Sequence, residues 1–178
     1  RQIQSLIRLI EDMLDVSRIR TGKLSIRPAP VDLTQVVARL LENFAAQISA
    51  AQSSVNFTAG QPVVGQWDEF RIEQVISNLL TNALRYGAKK PIDVAVYIEN
   101  DQAVVDVRDQ GIGISAENQQ RVFQQFERVS ASHVTAGLGL GLFISEQIVT
   151  AHSGTISVQS TLGEGALFRV CLPLVQKA

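Results

Sequence analysis

The strand-like runs of this chain come in neighbouring pairs, and this order limits the folds that it can adopt. β-Branched residues cluster at residues 92–99 and 103–108, on either side of Asn100 and Asp101, which predicts a β-hairpin. The other strand-like runs are residues 55–58, 63–67, 155–160 and 166–172. Strands in adjacent pairs favour an α/β fold with a mixed, mostly antiparallel sheet and helices on one face, a two-layer α/β sandwich. They disfavour a doubly wound parallel sheet.

Helical periodicity fills the gaps between these pairs. Asp32 is a candidate N-cap for an amphipathic helix, and Gly22 is a candidate stop for the first helix. The apolar stripe behind Asp32 consists of Leu33, Val36, Val37, Leu40, Leu41, Phe44 and Ile48. The remaining predicted helices are residues 1–20, 68–86, 115–126 and 138–152. Residues 127–136 are small and polar, which predicts a loop.

The first helix admits two interpretations. Its apolar residues at helical spacing are Ile3, Leu6, Ile7, Ile10, Met13 and Leu14. They would dock the helix on its own domain, or they would pack against a partner helix upstream to form a hairpin. The chain starts without a methionine inside this pattern, so we expect it to be part of a longer protein.

Composition excludes several classes of function. The net charge of −1 gives no support to nucleic-acid binding. A single cysteine, Cys171, excludes an intrachain disulfide, and its flanking residues predict a buried strand position. His133 and His152 lack metal-ligand spacing, which disfavours a zinc site.

The predicted helix over residues 68–86 carries an unusual polar face. At about 100° per residue, the polar side chains fall within roughly 60° of Asn78. They are Arg71, Gln74, Asn78, Thr81, Asn82 and Arg85. Asparagine has poor helix propensity, and its neutral oxygen suits a hard cation such as Mg²⁺, while arginine suits phosphate. The alternative is an ordinary solvated face.

Two glycine-containing segments add further candidate sites. Asp109 ends a strand and is followed by Gly111 and Gly113, which would let a flat ligand approach the backbone while the carboxylate accepts a hydrogen bond. Residues 137–142 read GLGLGL ahead of a helix, which favours phosphate binding at a helix N-terminus. This run lacks the lysine of a Walker A loop and the spacing of a Rossmann fingerprint. A capping loop and a flexible hinge are the alternatives.

In order and spacing together, these motifs resemble those of sensor histidine kinases. The motifs DEFRIEQVISNLLTNALRYG, RDQGIGIS, FQQFER, GLGLGLFIS and GEGALF resemble the N, G1, F and G2 boxes and the final glycine turn of that family. The resemblance implies a Bergerat-type catalytic ATP-binding domain over residues 23–178. Residues 1–22 resemble the second helix of the dimerisation and histidine-phosphotransfer hairpin.

The resemblance also implies roles for individual residues. Asn82 would coordinate Mg²⁺ on the ATP phosphates beside Asn78, with Arg85 in phosphate contact and Tyr86 following it. Asp109 would bind adenine N6 in a pocket shaped by Gly111 and Gly113. The F-box residues are Phe123, Phe126 and Arg128, and the phosphates would border Gly137, Leu138, Gly139, Leu140, Gly141 and Leu142.

A departure from the family pattern limits what this chain would do alone. Neither His133 nor His152 has the surroundings of an acceptor histidine, so no autophosphorylation is expected. Relatives that hydrolyse ATP resemble this chain but have a glutamate at position 78, so Asn78 predicts slow hydrolysis and transfer to a protein acceptor instead. A nucleotide sensor without transfer and a gyrase-like ATPase are the competing hypotheses.

The resemblance implies partners that lie outside this sequence. They are the acceptor-histidine hairpin, a cognate response regulator and a second subunit of the parent protein. It implies a cytoplasmic domain and leaves the membrane anchoring of the parent, the signal and cis or trans transfer open.

Overall fold

The paired strands form the mixed sheet that the sequence predicts. In the computed structural model, which describes residues 2–87, 89–126 and 139–175, the strand order of the main sheet is β2-β4-β5-β7-β6. Among the strand pairs of the described residues, β2–β4 is parallel and the others are antiparallel. The strands are β1 (Ala29–Asp32), β2 (Val55–Ala59), β3 (Val64–Trp67), β4 (Ile92–Glu99), β5 (Gln102–Arg108), β6 (Thr155–Thr161) and β7 (Gly165–Pro173). The helices are α1 (Gln2–Arg20), α2 (Leu33–Asn43), α3 (Ala45–Ala50), α4 (Glu69–Tyr86), α5 (Ala116–Gln119) and α6 (Gly141–Ala151).

Helices α4 and α6 pack together on one face of this sheet. The inward residues of β4, β5 and β7 alternate along each strand, and the hydrophobic core lies between them and the helices. Ile76 and Leu79 of α4 and Ile144 and Ile148 of α6 are almost fully buried there. The predicted two-layer α/β sandwich is therefore confirmed, and its helical layer is built on the polar-striped helix.

The local signals at the turns and caps are confirmed as well. Asn100 and Asp101 take φ values of +50° and +60°, and Glu99 pairs with Gln102 across the hairpin. The Asp32 carboxylate accepts hydrogen bonds from the backbone N–H groups of Thr34 and Gln35. Gly22, at φ +65°, follows the end of α1 in a left-handed conformation that favours glycine.

Three helix boundaries differ from the prediction. The helix from residue 138 begins instead at Gly141, because Gly139 has a φ of +69° that no right-handed helix contains. The helix over residues 115–126 is limited to α5, and turns follow it as far as Phe126, at φ +65°, the last described residue of that segment. The stripe behind Asp32 is divided at Phe44 into α2 and α3.

The first helix docks on the domain, but through a face other than its apolar stripe. Leu6, Ile7 and Ile10 remain exposed, whereas Asp15 and Val16 are buried. The apolar stripe is therefore exposed, and the docking face is centred on a carboxylate that the hydrophobic pattern did not indicate.

A small second sheet closes the end of the core. Strand β1 pairs with β3, and the fully buried indole of Trp67 donates a hydrogen bond of 2.9 Å from Nε1 to the carbonyl of Pro173. A Cβ on Gly65 would lie 2.3 Å from the Trp67 ring, so glycine is required beside it. This hydrogen bond joins the C-terminal end of β3 to the C-terminal end of β7.

Cys171 lies in β7 as predicted, but it is half-buried rather than buried. Burial raises the pKa of its thiol, which disfavours the reactive thiolate.

His152 joins the end of α6 to the start of α4. Its imidazole is fully buried, with Nδ1 at 2.8 Å from the carbonyl oxygen of Ile148 and Nε2 accepting a hydrogen bond of 3.0 Å from the backbone N–H of Asp68. These partners assign the neutral tautomer with the proton on Nδ1. Burial lowers the pKa of this imidazole. Protonation at Nε2 would remove the acceptor and break the hydrogen bond from the Asp68 N–H.

We expect this histidine to make the fold sensitive to acid. A folded-state pKa below the unfolded value means that the unfolded chain binds the proton more readily, so stability is lost as pH falls below about 6.5. The free energy of unfolding of the wild type should fall more steeply between about pH 7 and about pH 5 than that of His152→Gln. Parallel pH profiles in urea titrations of the two proteins would contradict this.

Within the described residues, none of the helices combines the length and the apolar character that crossing a membrane requires.

Candidate nucleotide site

The polar face of α4 divides into two halves that make different contacts. The helix begins at its N-cap Asp68, whose carboxylate accepts a hydrogen bond from the Arg71 N–H. In the first half, Arg71 and Gln74 contact Asp15 of α1. The second half carries Asn78, Asn82 and Arg85 towards the C-terminal end of the helix. The first half is therefore engaged with α1, and the second half alone faces the glycine-containing segments.

Asn78 ties this helix to the start of α6. Its Nδ2 donates hydrogen bonds of 3.2 Å to the Gly141 carbonyl and 3.3 Å to Ser145 Oγ. The Ser145 hydroxyl is fully buried and donates a hydrogen bond of 2.8 Å to the same Gly141 carbonyl. A Cβ on Gly141 would lie 3.4 Å from Cγ of Asn78, so the amide packs directly on the helix start. Sequence reasoning missed Ser145, which only its helical distance from Gly141 could have indicated.

Asn82, one turn later, is half-buried. Unlike Asn78, it makes no side-chain hydrogen bond with another residue of the described segments. Arg85 is exposed in the last turn of α4, and Tyr86 is 36% exposed. An amide oxygen and a guanidinium group thus lie at the same end of the helix.

The backbone of Tyr86 holds the Asp109–Gly113 turn against α4. The Ile112 N–H donates a hydrogen bond of 3.3 Å to the Tyr86 carbonyl, and a Cβ on Gly111 would lie 1.8 Å from that same oxygen. Only a glycine permits this approach. Gly87, which sequence reasoning missed, fits closely at the end of α4, since an added Cβ would lie 2.4 Å from the Ala83 carbonyl oxygen of that helix.

The Asp109 carboxylate is buried at the end of β5. Its Oδ1 accepts a hydrogen bond of 2.8 Å from the Gly111 N–H, and the residue is 6% exposed. Burial raises the pKa of this carboxyl, and hydrogen bonds from the backbone of Gly111 and Ala166 partly offset that rise. A carboxylate in these surroundings is suited to accept a hydrogen bond from a ligand.

The β6–β7 hairpin supports this turn from behind. Gly113 and Gly165, at φ +67° and +92°, bring backbones together: a Cβ would lie 2.1 Å from the carbonyl oxygen of Thr161 and of Asp109, respectively. Ser160 Oγ accepts a hydrogen bond of 2.8 Å from the Ile114 N–H, and Gln119 Nε2 donates to the carbonyls of Ile114 and Ser160. The sequence indicated the glycines but gave no signal for Ser160 or Gln119.

The glycine-leucine run enters α6 through a buried leucine. Leu140 is 2% exposed, Leu142 packs against the core, and Gly139 is half-buried. The Phe126 N–H donates a hydrogen bond of 3.2 Å to the Gly139 carbonyl, while the Phe126 side chain is exposed. The rings of Phe123 and Phe168 pack edge-to-face, with 6.4 Å between their centroids. Gly137, Leu138, Arg128, His133 and the predicted loop over residues 127–136 lie outside the described residues.

No group of three or more His, Cys, Asp or Glu side chains suited to a metal is present within residues 2–87, 89–126 and 139–175.

Residues 67–176 match the family described as "Histidine kinase-, DNA gyrase B-, and HSP90-like ATPase", which is more than half of the chain. The chain belongs to this family. Among its members, this domain is of the sensor histidine kinase type. It is 32% identical over 176 residues to the circadian input-output histidine kinase CikA of Synechococcus elongatus, covering 96% of this chain and 23% of that protein.

Solved structures of this family share the fold. Full-length ShkA in complex with AMPPNP superposes with a TM-score of 0.85 at 24% identity, covering 98% of this chain and 37% of that one. The mycobacterial sensor histidine kinase MprB superposes with a TM-score of 0.74 at 27% identity, covering 84% of this chain and 100% of that one. The chain spans between 15% and 39% of the lengths of the curated relatives that it matches.

Proposed function

We propose that this domain binds Mg²⁺ and ATP and donates the γ-phosphoryl group to a histidine on the first helix of the phosphotransfer hairpin, which is not part of these 178 residues. The observation that carries this proposal is the convergence of three distant motifs on the second half of α4. Asn78 bonds to Gly141, and the Tyr86 carbonyl bonds to the turn that follows Asp109. Asn82 lies between these two attachment points on the helix.

The side chains present suit the parts of this ligand. The buried Asp109 carboxylate accepts a hydrogen bond from the exocyclic amine of adenine, and Gly111 and Gly113 let the turn that follows it pack against the backbone of Tyr86 and Thr161. The Asn82 oxygen serves as a metal ligand, and Arg85 adds positive charge at the phosphates. The N-terminus of α6 near Gly141 presents backbone N–H groups to the phosphates.

The bound nucleotide supplies the phosphoryl group, and Mg²⁺ neutralises its charge. The protein contributes orientation and electrostatics, as is general for phosphoryl transfer. Asn78 cannot deprotonate water, and its amide is already engaged by Gly141 and Ser145, so this site provides no base for hydrolysis there. We infer that transfer to an external imidazole dominates over hydrolysis.

The magnesium role of Asn82 is tested by nucleotide titration. Asn82→Ala should weaken ATP binding in the presence of Mg²⁺ by roughly tenfold, the equivalent of one hydrogen-bonding or ligand contact, and change binding without Mg²⁺ little. Isothermal titration calorimetry with and without Mg²⁺ measures both, with Thr81→Ala on the same helix as the control. Equal Mg²⁺ dependence in Asn82→Ala and the wild type would refute this role.

The transfer itself is tested with labelled ATP. We expect this chain alone to stay unlabelled by ATP carrying a γ-³²P label, because His152 is buried with both ring nitrogens engaged. A separately supplied acceptor hairpin from the parent protein should become labelled in an acid-labile form. Fast release of inorganic phosphate without any acceptor would favour the gyrase-like ATPase instead.

The partners of the parent protein belong to the same proposal. The exposed stripe of α1, which includes Leu6, Ile7 and Ile10, suits the missing helix of the hairpin and a second subunit. A response regulator would then take the phosphoryl group from the acceptor histidine, as two-component signalling requires.

A further inference from the structure

A buried polar cluster joins α1 to α4, and we name it the Asp15 cluster after its carboxylate. Nη1 of Arg71 lies 2.9 Å from both carboxylate oxygens of Asp15. Nε2 of Gln74 donates a hydrogen bond of 2.8 Å to Asp15 Oδ2, and its Oε1 accepts one of 2.9 Å from Arg71. Asp15 and Arg71 are 4% and 9% exposed, so water screens this pair little.

Helix α1 also packs against α6 and against the hydrophobic core. Val16 is buried and Ile19 is partly buried against the core, whereas the apolar stripe of the helix faces away from the domain. The chain leaves α1 through the left-handed Gly22. It then passes Leu24, which is partly buried against the core, and reaches Arg27, whose N–H donates a hydrogen bond of 2.8 Å to the Asp68 carboxylate. Apolar packing of α1 at Val16 and Ile19 and the polar contacts of the Asp15 cluster therefore together hold the helix on the domain.

A buried ion pair such as Asp15–Arg71 favours two discrete positions of α1, docked and released, over a continuous range of positions. A buried ion pair is favourable only while both charges and their hydrogen bonds are complete, because each charge left alone in the interior is strongly unfavourable. When α1 swings away, Asp15, Arg71 and Gln74 all regain water together. A partly separated pair has the highest free energy, because its charges have lost each other but have not regained water. The cluster therefore closes or opens as a unit.

We infer that the Asp15 cluster is a latch that sets the direction of α1 relative to the nucleotide site, with Gly22 as the pivot. Gln74, Asn78 and Asn82 follow one another at four-residue spacing on α4, so the latch and the candidate nucleotide site lie on one rigid helix. The inference of a latch depends only on the contacts within the Asp15 cluster. Its meaning for transfer rests on the proposed function, since α1 would then be the second helix of the acceptor hairpin.

The latch is tested by the distance between α1 and the sheet in the whole 178-residue chain. Spin labels are placed at the exposed sites Glu11→Cys and Ser157→Cys in a Cys171→Ser background. Dilution with unlabelled protein removes distances between copies. The wild type should give one narrow distance distribution. Asp15→Asn and Arg71→Met should each add a second, broad population, and the double variant should be no broader than either single one. No nucleotide is added, so the result is independent of the ATP assignment.

Two controls separate a latch from ordinary packing. Arg39→Met removes another arginine bound by two carboxylates, Glu69 and Glu73, but between α2 and α4. It should leave the distance unchanged. ATP affinity, measured separately, should change by less than about twofold in Asp15→Asn and Arg71→Met. A narrow, wild-type-like distance distribution in both Asp15→Asn and Arg71→Met would overturn the latch, even if these variants melt at a lower temperature. An equal broadening of the distance distribution in Arg39→Met would overturn it as well.

Discussion

Replacing Gly111 by alanine is expected to abolish nucleotide binding and to destabilise the domain. The added Cβ would lie 1.8 Å from the Tyr86 carbonyl oxygen and 2.8 Å from the Gly87 Cα, both backbone atoms. The clash is relieved only if the Asp109 turn moves away from α4, which breaks the hydrogen bond from Ile112 to Tyr86. We expect a loss of about 3 kcal/mol in the free energy of unfolding, at the upper end of overpacking effects.

Gly60→Ala is the matched control for this substitution. It makes the same chemical change at a glycine with no neighbour within 4 Å, so stability should change by less than about 0.5 kcal/mol. Urea unfolding gives the stability, and calorimetric titration with ATP gives the affinity. If Gly111→Ala bound ATP as Gly60→Ala does, the turn would not be part of the nucleotide site.

Replacing Asp109 by alanine is expected to weaken ATP binding by roughly 10- to 150-fold. This range corresponds to a hydrogen bond to a charged group, about 1.5 to 3 kcal/mol. Because burial raises the pKa of Asp109, the affinity of the wild type should also start to fall at a higher pH than an ordinary aspartate would cause. Glu164→Ala removes an exposed carboxylate from the neighbouring hairpin and should leave the affinity unchanged.

Asp109→Asn gives a sharper test of what this side chain recognises. A carboxylate accepts a hydrogen bond from the adenine amine and repels the oxygen that guanine carries at the same position, whereas an amide serves either base. The preference for ATP over GTP, measured by competition, should therefore shrink in Asp109→Asn while total affinity survives better than in Asp109→Ala. An unchanged preference would place the base elsewhere.

Patterns of local origin predicted most of the fold and of the candidate site. The hairpin at Asn100 and Asp101, the caps at Asp32 and Gly22 and the paired strands depend on the residues within a few positions, which the sequence displays directly. The candidate residues Asn82 and Asp109 stood out because their types are unusual at a helix face and a strand end. Their roles in binding remain predictions.

Contacts between distant segments were beyond this reasoning. Ser145, Ser160 and Gln119 are ordinary polar residues until the fold brings Asn78 to Ser145 and brings Ile114 and Gln119 to Ser160. Arg71 and Gln74 shared the predicted polar face with Asn82, but their partner is Asp15, more than fifty positions earlier in the chain. No periodicity reports such a pairing, since it depends on how two helices cross.

The sequence alone therefore determined the secondary elements, the sheet type and the family resemblance, because each follows from spacing and residue type. The tertiary structure decided which side of α1 docks, which half of the α4 face remains available and why Gly111 has no substitute beside Tyr86. These are questions of distance between atoms far apart in the chain. They are settled by close packing and by the cost of burying a charge or a polar group without a partner.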